Sequence, residues 1–503
     1  MNLLNHLPVL PVLIPFISAI LLLLPPLRGQ LGRQRIAVII AHLLSIGTTV
    51  WLLLTVQSDG IQVYALGNWQ APFGIAFIAD LMAVMIVLLT GVLALAAHLY
   101  ACAGDDVKGS FFHPIFMFQV MGINGAFLTG DAFNMFVFFE ILLIASYALM
   151  IHGGGKQRTQ ANLHYVFLNL IGSTLFLFAL GTLYGTLGTL NFVDMARAVS
   201  DVSPENLPLV KAGGLLLLAI FGLKAALLPL HFWLPRTYSA ATPAVAALFA
   251  VMTKVGIYSI WRIHGVIFGV NAGELANMAQ PWLWPLAFMT LALGCLGILA
   301  SQGLRTLVAN LIIVSVGTLL MAVAFNTEQT TAAALYYLIH STLVGGALFL
   351  IAGVIVEMRG KAEDRFVTAR KMANPAFIGI CFFIAALAVI GMPPFSGFVG
   401  KALLLKSTVA EDHVAWFWSG LLIAGLISLV TLARAGTTLF WRDQGTPSPA
   451  EPVAIQKKAA IALLLLCFPL LVVFGGPITE MTEQAANQLY HGIQLPMGVN
   501  NEY

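Results

Sequence analysis

The stretch Phe221-Gly-Leu-Lys224-Ala-Ala-Leu-Leu-Pro229-Leu-His231-Phe-Trp-Leu-Pro235 sets a lysine inside an apolar run and follows it with two prolines. Proline lacks the backbone donor and its ring clashes with the preceding turn, so a helix reaching Pro229 breaks there. A second stretch, Gly391-Met-Pro393-Pro394-Phe-Ser-Gly397, has the same character and is followed by Lys401. In lipid, the carbonyls freed by such breaks need partners from protein or water. Counted along the chain, the two breaks fall in the seventh and twelfth apolar segments. An offset of five is odd, so the two segments run in opposite directions. That is the pattern of an inverted repeat with broken helices in matching positions.

Composition fixes the setting of these breaks. The chain has 503 residues, of which 59% are hydrophobic and only 9% charged, with mean hydropathy +0.92. Its apolar runs are long enough to cross a bilayer, which takes about 20 residues each. Spans read at approximately 4–24, 36–55, 76–98, 112–128, 132–151, 164–188, 210–230, 242–264, 282–300, 304–325, 332–357, 374–409, 414–440 and 455–475. The predicted fold class is an all-α polytopic membrane protein with about 14 transmembrane helices. Two inverted five-helix repeats, spans 4–8 and 9–13, contain the broken helices 7 and 12. The predicted segments are 1–98 (three helices), 112–264 (first repeat), 282–440 (second repeat) and 455–503 (last helix and outer tail). Span 1 has no basic stretch before it and holds Pro8, Pro11 and Pro15, so it reads as a retained helix.

Most of the 24 basic residues lie in the connections after odd-numbered spans, among them Arg28, Arg35, Lys108, Arg158, Arg305, Arg365 and Lys458. The positive-inside rule makes those connections cytoplasmic and puts both termini outside. The net charge of +3 is thus a matter of topology and gives no reason to expect nucleic acid. The connections are short, and 441–452 reads as a linker. The tail after Pro477 is too polar to span and reads as an outer-surface helix. Cys102, Cys295, Cys381 and Cys467 are scattered without a CxxC pair, which points to no disulfide framework, metal or iron–sulfur site.

Ionisable groups inside spans are the functional candidates. An ionised lysine or aspartate at mid-membrane costs roughly 2.5–3.5 kcal/mol on insertion scales. Glu140, in Phe136-Val-Phe-Phe-Glu140-Ile-Leu-Leu-Ile144, is the one acidic residue placed away from both surfaces. Lys224, Lys254 and Lys401 lie in apolar runs on other spans, and His340 sits in span 11. One acid, three lysines and a histidine on separate helices read as a proton route. Plainer roles compete: Glu140 as a structural ion pair, Lys254 and Lys401 as liners of hydrated contacts, His340 as a satisfied core histidine. His231 and Lys406 are candidates for proton uptake or release near the two ends, and Lys406 also reads as a snorkelling side chain. Asp80 and Asp131 read as capping groups near the outer surface. His113, His152, His164 and His264 read as interfacial.

These residues sit in motifs with a familiar pattern. The motifs are Gly130-Asp-Ala-Phe-Asn-Met-Phe-Val-Phe-Phe-Glu140 through Tyr147, Leu230-His-Phe-Trp-Leu-Pro-Arg236, Thr242-Pro-Ala-Val-Ala-Ala-Leu248, Val251-Met-Thr-Lys-Val-Gly-Ile-Tyr258 and Gly391 through Lys401. Over nearly its whole length the chain resembles the antiporter-like subunits shared by respiratory complex I and the Mrp (Pha, Mnh, Sha) cation/proton antiporters. Within that superfamily it is most similar to the D-type members of the Mrp group. The resemblance implies that Glu140 and Lys224 form a switching ion pair, with Lys254 the central lysine, His340 a bridging group and Lys401 the terminal lysine of span 12. Some complex I members have Glu at that last position, so Lys401 argues against them. The chain also lacks the long lateral helix of the largest relatives. The loop Arg236-Thr-Tyr-Ser-Ala-Ala-Thr242 departs from the family pattern.

The resemblance further implies a proton- and cation-translocating component of a multisubunit Na+ or K+/H+ antiporter in a bacterial plasma membrane. Its partners would be the A, B, C, E, F and G subunits, and it would have no cofactor, no metal and no enzymatic chemistry of its own. A second reading is a proton-pumping subunit of complex I or a membrane-bound hydrogenase. A third, a stand-alone transporter, is disfavoured because Glu140 alone supplies no cage of acids for Na+.

Overall fold

A computed structural model describes residues 3–69, 74–372, 375–442, 444 and 452–492. Most of the linker at 441–452, and the tail beyond residue 492, lie outside the described residues. The order is α1 (Leu10–Leu23), α2 (Leu31–Asp59), β1 (Gln62–Ala65), β2 (Ala76–Ala79), α3 (Leu81–Ala101), α4 (Phe112–Leu128), α5 (Ala132–Ile151), α6 (Lys156–Leu187), α7 (Phe192–Ser200), α8 (Leu207–Ala225), α9 (Trp233–Ala240) and α10 (Pro243–Ile260). Then come α11 (Gln280–Ala300), α12 (Leu304–Phe325), α13 (Glu328–Arg359), α14 (Pro375–Ile390), α15 (Ser396–Ser407), α16 (Val414–Phe440), α17 (Ile455–Val473) and α18 (Gly475–His491). Among the described residues, twelve helices are long and apolar enough to cross a membrane, with the shorter apolar helices α4 and α14 beside them.

The chain is all-helical as expected, apart from one short ribbon. Residues 62–65 and 76–79 pair as an antiparallel ribbon, Gln62 opposite Ala79 and Ala65 opposite Ala76. Span 3 therefore begins as a strand, and its helix starts only after Asp80, whose Oδ1 accepts from Ala83 N at 2.8 Å. Asp131 caps α5 in the same way through Asn134 N, also at 2.8 Å. Both aspartates thus cap helices, where a side-chain oxygen satisfies an otherwise free donor.

Burial sorts the helices. Helices α10 and α12 are buried along their whole apolar length, and α3 and α13 nearly so. Helices α6 and α16 keep apolar side chains outside, including Phe167, Phe178, Trp416 and Leu422. A helix apolar all round belongs inside the bundle, and one with an exposed apolar side faces lipid or a partner. Close approach rests on small residues, as is usual between membrane helices. A Cβ on Gly256 of α10 would lie 2.5 Å from Ala225 N, and one on Gly317 of α12 would lie 2.5 Å from Leu291 N.

The connections sort to two faces. After odd spans, Arg158 Nε donates to Ala240 O at 3.1 Å, Arg305 pairs with Asp364 at 2.8 Å, and Lys457 pairs with Glu357 at 2.5 Å. On the other face Arg262 pairs with Asp80, Tyr490 OH donates to Asn326 Oδ1 at 2.9 Å, and Gln488 Oε1 accepts from Leu81 N at 2.9 Å. The polar tail is helical through His491 and lies on that second face. Three histidines read as interfacial are buried instead: His113 is 1% exposed, His264 4% and His152 7%. Position near a helix end failed there because the packed chain covers all three.

Because Gly256 meets backbone and not a flexible side chain, Gly256→Ala is expected to destabilise the purified protein by about 1–3 kcal/mol. Gly181→Ala, which would meet nothing within 4 Å, is expected to be neutral or stabilising. Denaturation midpoints of the two variants check this.

Candidate functional site

The first helix break is closed by protein groups. Helix α8 stops at Ala225, and Ala226 takes a left-handed conformation at φ +63°. Leu227 N then reaches back to Gly222 O at 2.7 Å, Leu228 N donates to Thr290 Oγ1 of α11 at 2.9 Å, and Trp233 Nε1 donates to Leu223 O at 3.1 Å. The Gly222 and Leu223 carbonyls at the broken end are thus satisfied by protein groups. Lys224 occupies the last turn of α8, where the helix dipole favours a cation.

The Lys224 ammonium, 5% exposed, donates to Asn169 Oδ1 at 2.8 Å. Asn169 Nδ2 donates to Tyr165 O at 2.8 Å, which sets the amide with its oxygen toward the lysine. One helical turn along α6, Ser173 Oγ donates to Glu140 Oε1. Asn169 and Ser173 are four apart and therefore share a face of α6. That face receives the lysine at one position and the glutamate at the next. Glu140 and Lys224 make no ion pair; α6 holds each on a neutral partner. The direct pairing implied by the family resemblance is absent from this conformation.

The next groups lie on the central helices. Lys254 of α10, 1% exposed, donates to Ser315 Oγ of α12 at 3.0 Å, and Ser315 Oγ donates to Ile312 O at 2.8 Å. His340 of α13 places Nδ1 2.9 Å from Ser396 Oγ, at the start of α15. Lys401 of α15 donates to Val389 O at 3.2 Å and Ile390 O at 2.7 Å, the last carbonyls of α14. The break at Gly391–Phe395 therefore creates the acceptors that Lys401 uses. Gly391 has φ +85°, and a Cβ on Gly397 would overlap the Ala388 carbonyl and stand 2.9 Å from His340 Nε2. Both glycines are required for the break to close around the lysine.

Ser315, Thr318, Tyr337, His340, Ser341 and Lys401 line one internal cavity of about 30 Å³. A polar space of this size holds roughly one or two waters. It joins the oxygen that receives Lys254 to His340 and Lys401. Hydrogen bonds link neither Lys224 to Lys254 nor Lys254 to His340. Toward the ends, Lys406 lines a cavity of about 360 Å³ with Glu328 and Glu483. His231 is half-buried within the first break, and its Nδ1 has no partner. A larger cavity of about 890 Å³ opens on the odd-connection face between His164, Arg236, Gln302 and Arg305.

Residues 129–428 match the profile of the NADH:quinone oxidoreductase/Mrp antiporter transmembrane family. The chain belongs to this family. The matched region contains Glu140, Lys224, Lys254, His340 and Lys401. A probable K+/H+ antiporter D subunit from Rhizobium meliloti (strain 1021) is 37% identical over 97% of this chain and 96% of its own length. The Na+/H+ antiporter D subunit of Bacillus subtilis (strain 168) is 38% identical over 92% and 93%. Among solved structures, a chain of the Mrp complex from Dietzia sp. DQ12-45-1b superimposes with TM-score 0.84 at 26% identity, covering 98% of this chain and 99% of its own. A chain of the membrane-bound sulfane sulfur reductase gives TM-score 0.85 at 23% identity, over 96% and 97%, and shares the fold.

Within this Mrp antiporter family member, sequence reasoning found the ionisable groups but missed the groups that receive them. Asn169, Ser173, Ser315 and Ser396 are all buried polar partners. The four-residue spacing of Asn169 and Ser173 in an otherwise apolar span is the signal that points to two of them. A hydrogen bond to a charged group contributes about 1.5–3 kcal/mol, so Asn169→Leu is expected to destabilise the protein by that amount. Asn169→Asp keeps the oxygen and is expected to fold normally. Chemical denaturation of the purified variants measures the difference.

Proposed function

We propose that this chain is the D component of a multisubunit monovalent cation/proton antiporter, exchanging Na+ or K+ for protons along the buried groups Glu140, Lys224, Lys254, His340 and Lys401. The observation that carries the reading is the placement of three membrane-buried ammonium groups on neutral oxygens, in a chain 37–38% identical to the D components of K+/H+ and Na+/H+ antiporters. A neutral acceptor serves an amine in either protonation state. Burial opposes the charged form of an amine and a nearby carboxylate favours it. In this reading, approach of the Glu140 carboxylate loads Lys224 and its withdrawal to Ser173 releases the proton. Lys254, His340 and Lys401 are successive stations joined by water. Moving one charge through 100 mV is worth about 2.3 kcal/mol, so such rearrangements couple to the membrane potential.

The finer assignments belong to the same proposal. Of about 14 spans, 4–8 and 9–13 form two inverted five-helix repeats, supported by the matching breaks after Ala225 and Ile390. The basic connections lie in the cytoplasm of a bacterium and both termini outside the plasma membrane. The A, B, C, E, F and G subunits complete the assembly. A cation site is shared with a partner or uses Glu140, and the chain performs no enzymatic chemistry of its own. The redox-pump alternative draws on the sulfane sulfur reductase likeness, which reaches only the fold, whereas the identities to antiporter subunits span nearly whole chains.

The test uses everted vesicles from an antiporter-deficient host carrying all subunits. Adding Na+ or K+ without any electron donor is expected to dissipate a preformed ΔpH, and Lys224→Ala in an assembled complex is expected to abolish this. Proton movement that requires a reductant and ignores the cation would move the chain to the redox pumps.

A further inference from the structure

His42 of α2, His98 of α3 and His113 of α4 stand in one row outside the lysine axis. His42 Nε2 is 3.0 Å from His98 Nδ1, and His98 Nε2 is 2.7 Å from His113 Nδ1. His113 Nε2 lies 3.3 Å from Asp106 Oδ2, and Arg35 holds both Asp106 oxygens at 2.6 and 2.8 Å. The three rings and Asp106 are at most 2% exposed, and Phe112 and Phe116 pack around them. Burying polar rings costs free energy unless each is hydrogen-bonded. A purely structural contact here is served more simply by apolar side chains, so the row calls for a use.

A neutral imidazole donates at one nitrogen and accepts at the other. Asp106, in the connection between α3 and α4, decides which. Burial raises its pKa, but the two hydrogen bonds from Arg35 and the His113 ring 3.3 Å away outweigh burial and hold it at about 2, so it is an anion. The anion favours a proton on His113 Nε2. His113 Nδ1 then accepts from His98 Nε2–H, and His98 Nδ1 accepts from His42 Nε2–H. The row ends on a bare His42 Nδ1, buried and without a partner. The buried face of α2 continues through Ser45 and Thr49 and then turns apolar at Leu52 and Val56. From Arg35 to Thr49 is about 21 Å at 1.5 Å per residue, short of the roughly 30 Å hydrocarbon core, so the polar row does not cross the membrane by itself. The other ionisable groups at its mouth are Cys102, Asp105, Lys108, which pairs with Asp105 at 2.6 Å, and His152, which bonds Asp105 O at 2.9 Å.

We propose that His42, His98 and His113 form a proton relay that takes a proton at His42 Nδ1 and delivers one at Asp106 to the odd-connection face. The inference rests on the chain being a proton-translocating subunit. A proton added at His42 Nδ1 sends the Nε2 proton to His98 Nδ1. His98 passes its own to His113 Nδ1, and His113 gives up its Nε2 proton to water beside Asp106, which stays ionised on Arg35. Each ring gains one proton and loses one. All three then carry Nδ1–H, and ring turns or a returning hop reset the row. The Arg35–Asp106 pair sets the polarity.

The test places His98→Ala in the complete complex in everted vesicles. Cation-driven proton movement is expected to slow about a hundredfold, as when a positioned proton carrier is lost, with the cation KM unchanged. Added imidazole is expected to restore the rate, whereas 1-methylimidazole, which fills the same void but has no N–H to pass on, is not. A wild-type rate in assembled His98→Ala, or equal rescue by both compounds, would overturn the relay. Should His98→Ala not assemble, His42→Asn removes only the receiving end; a slower rate with a shifted pH profile is expected, and an unchanged profile contradicts the proposal. Lys224→Ala, run alongside, keeps the two readings apart: a cation response that survives it sinks the antiport axis whatever the histidine variants do.

Discussion

A buried ammonium must find oxygen, and the interior of this bundle supplies neutral oxygen. Lys224 rests on an amide, Lys254 on a hydroxyl and Lys401 on two carbonyls. Carboxylates hold cations toward the faces: Asp106 on Arg35, Asp80 on Arg262, Asp364 on Arg305 and Glu357 on Lys457. The division has a physical consequence. Removing one partner from a buried ion pair strands a charge at a cost of about 3–5 kcal/mol, which makes such pairs poor proton carriers. An amine on a hydroxyl or carbonyl loses much less when it gives up its proton. The face pairs fix the architecture, and the proposed exchange falls to the interior lysines, whose neutral partners are left with no stranded charge.

The helix breaks belong to the same logic. A continuous helix satisfies its own carbonyls and has none to offer. Interruption at Gly391–Phe395 releases Val389 O and Ile390 O, and Lys401 takes both. Interruption after Ala225 leaves Lys224 at a helix C-terminus, while Trp233 and Thr290 close the backbone. Glycines 256, 391 and 397 permit the close contacts that bring these ends together. The site is therefore a property of packing as much as of the lysines.

Much of this was legible in the sequence. Hydropathy located the apolar helices, since a span of lipid-facing and core residues has little else to be. Prolines 229, 393 and 394 marked the breaks because the ring cannot sit in a helix interior. Glu140, Lys224, Lys254, His340 and Lys401 stood out because charged or titratable groups are expensive there. The ribbon at 62–65 and 76–79 was not legible: Ala76-Phe-Ile-Ala79 is as apolar as the helix it precedes. Nor was the histidine row, because His42, His98 and His113 lie 56 and 15 residues apart and meet only through helix packing. The hold of α6 on Glu140 and Lys224 likewise depends on which helix lies between them, which composition does not state.

The central claim is that Lys254, midway along the axis, changes its charge during exchange. The direct test records capacitive currents from the assembled complex on a solid-supported membrane after a Na+ or K+ jump. The account predicts a transient charge displacement in the wild type that Lys254→Ala removes while leaving assembly intact. An undiminished transient in assembled Lys254→Ala would contradict it.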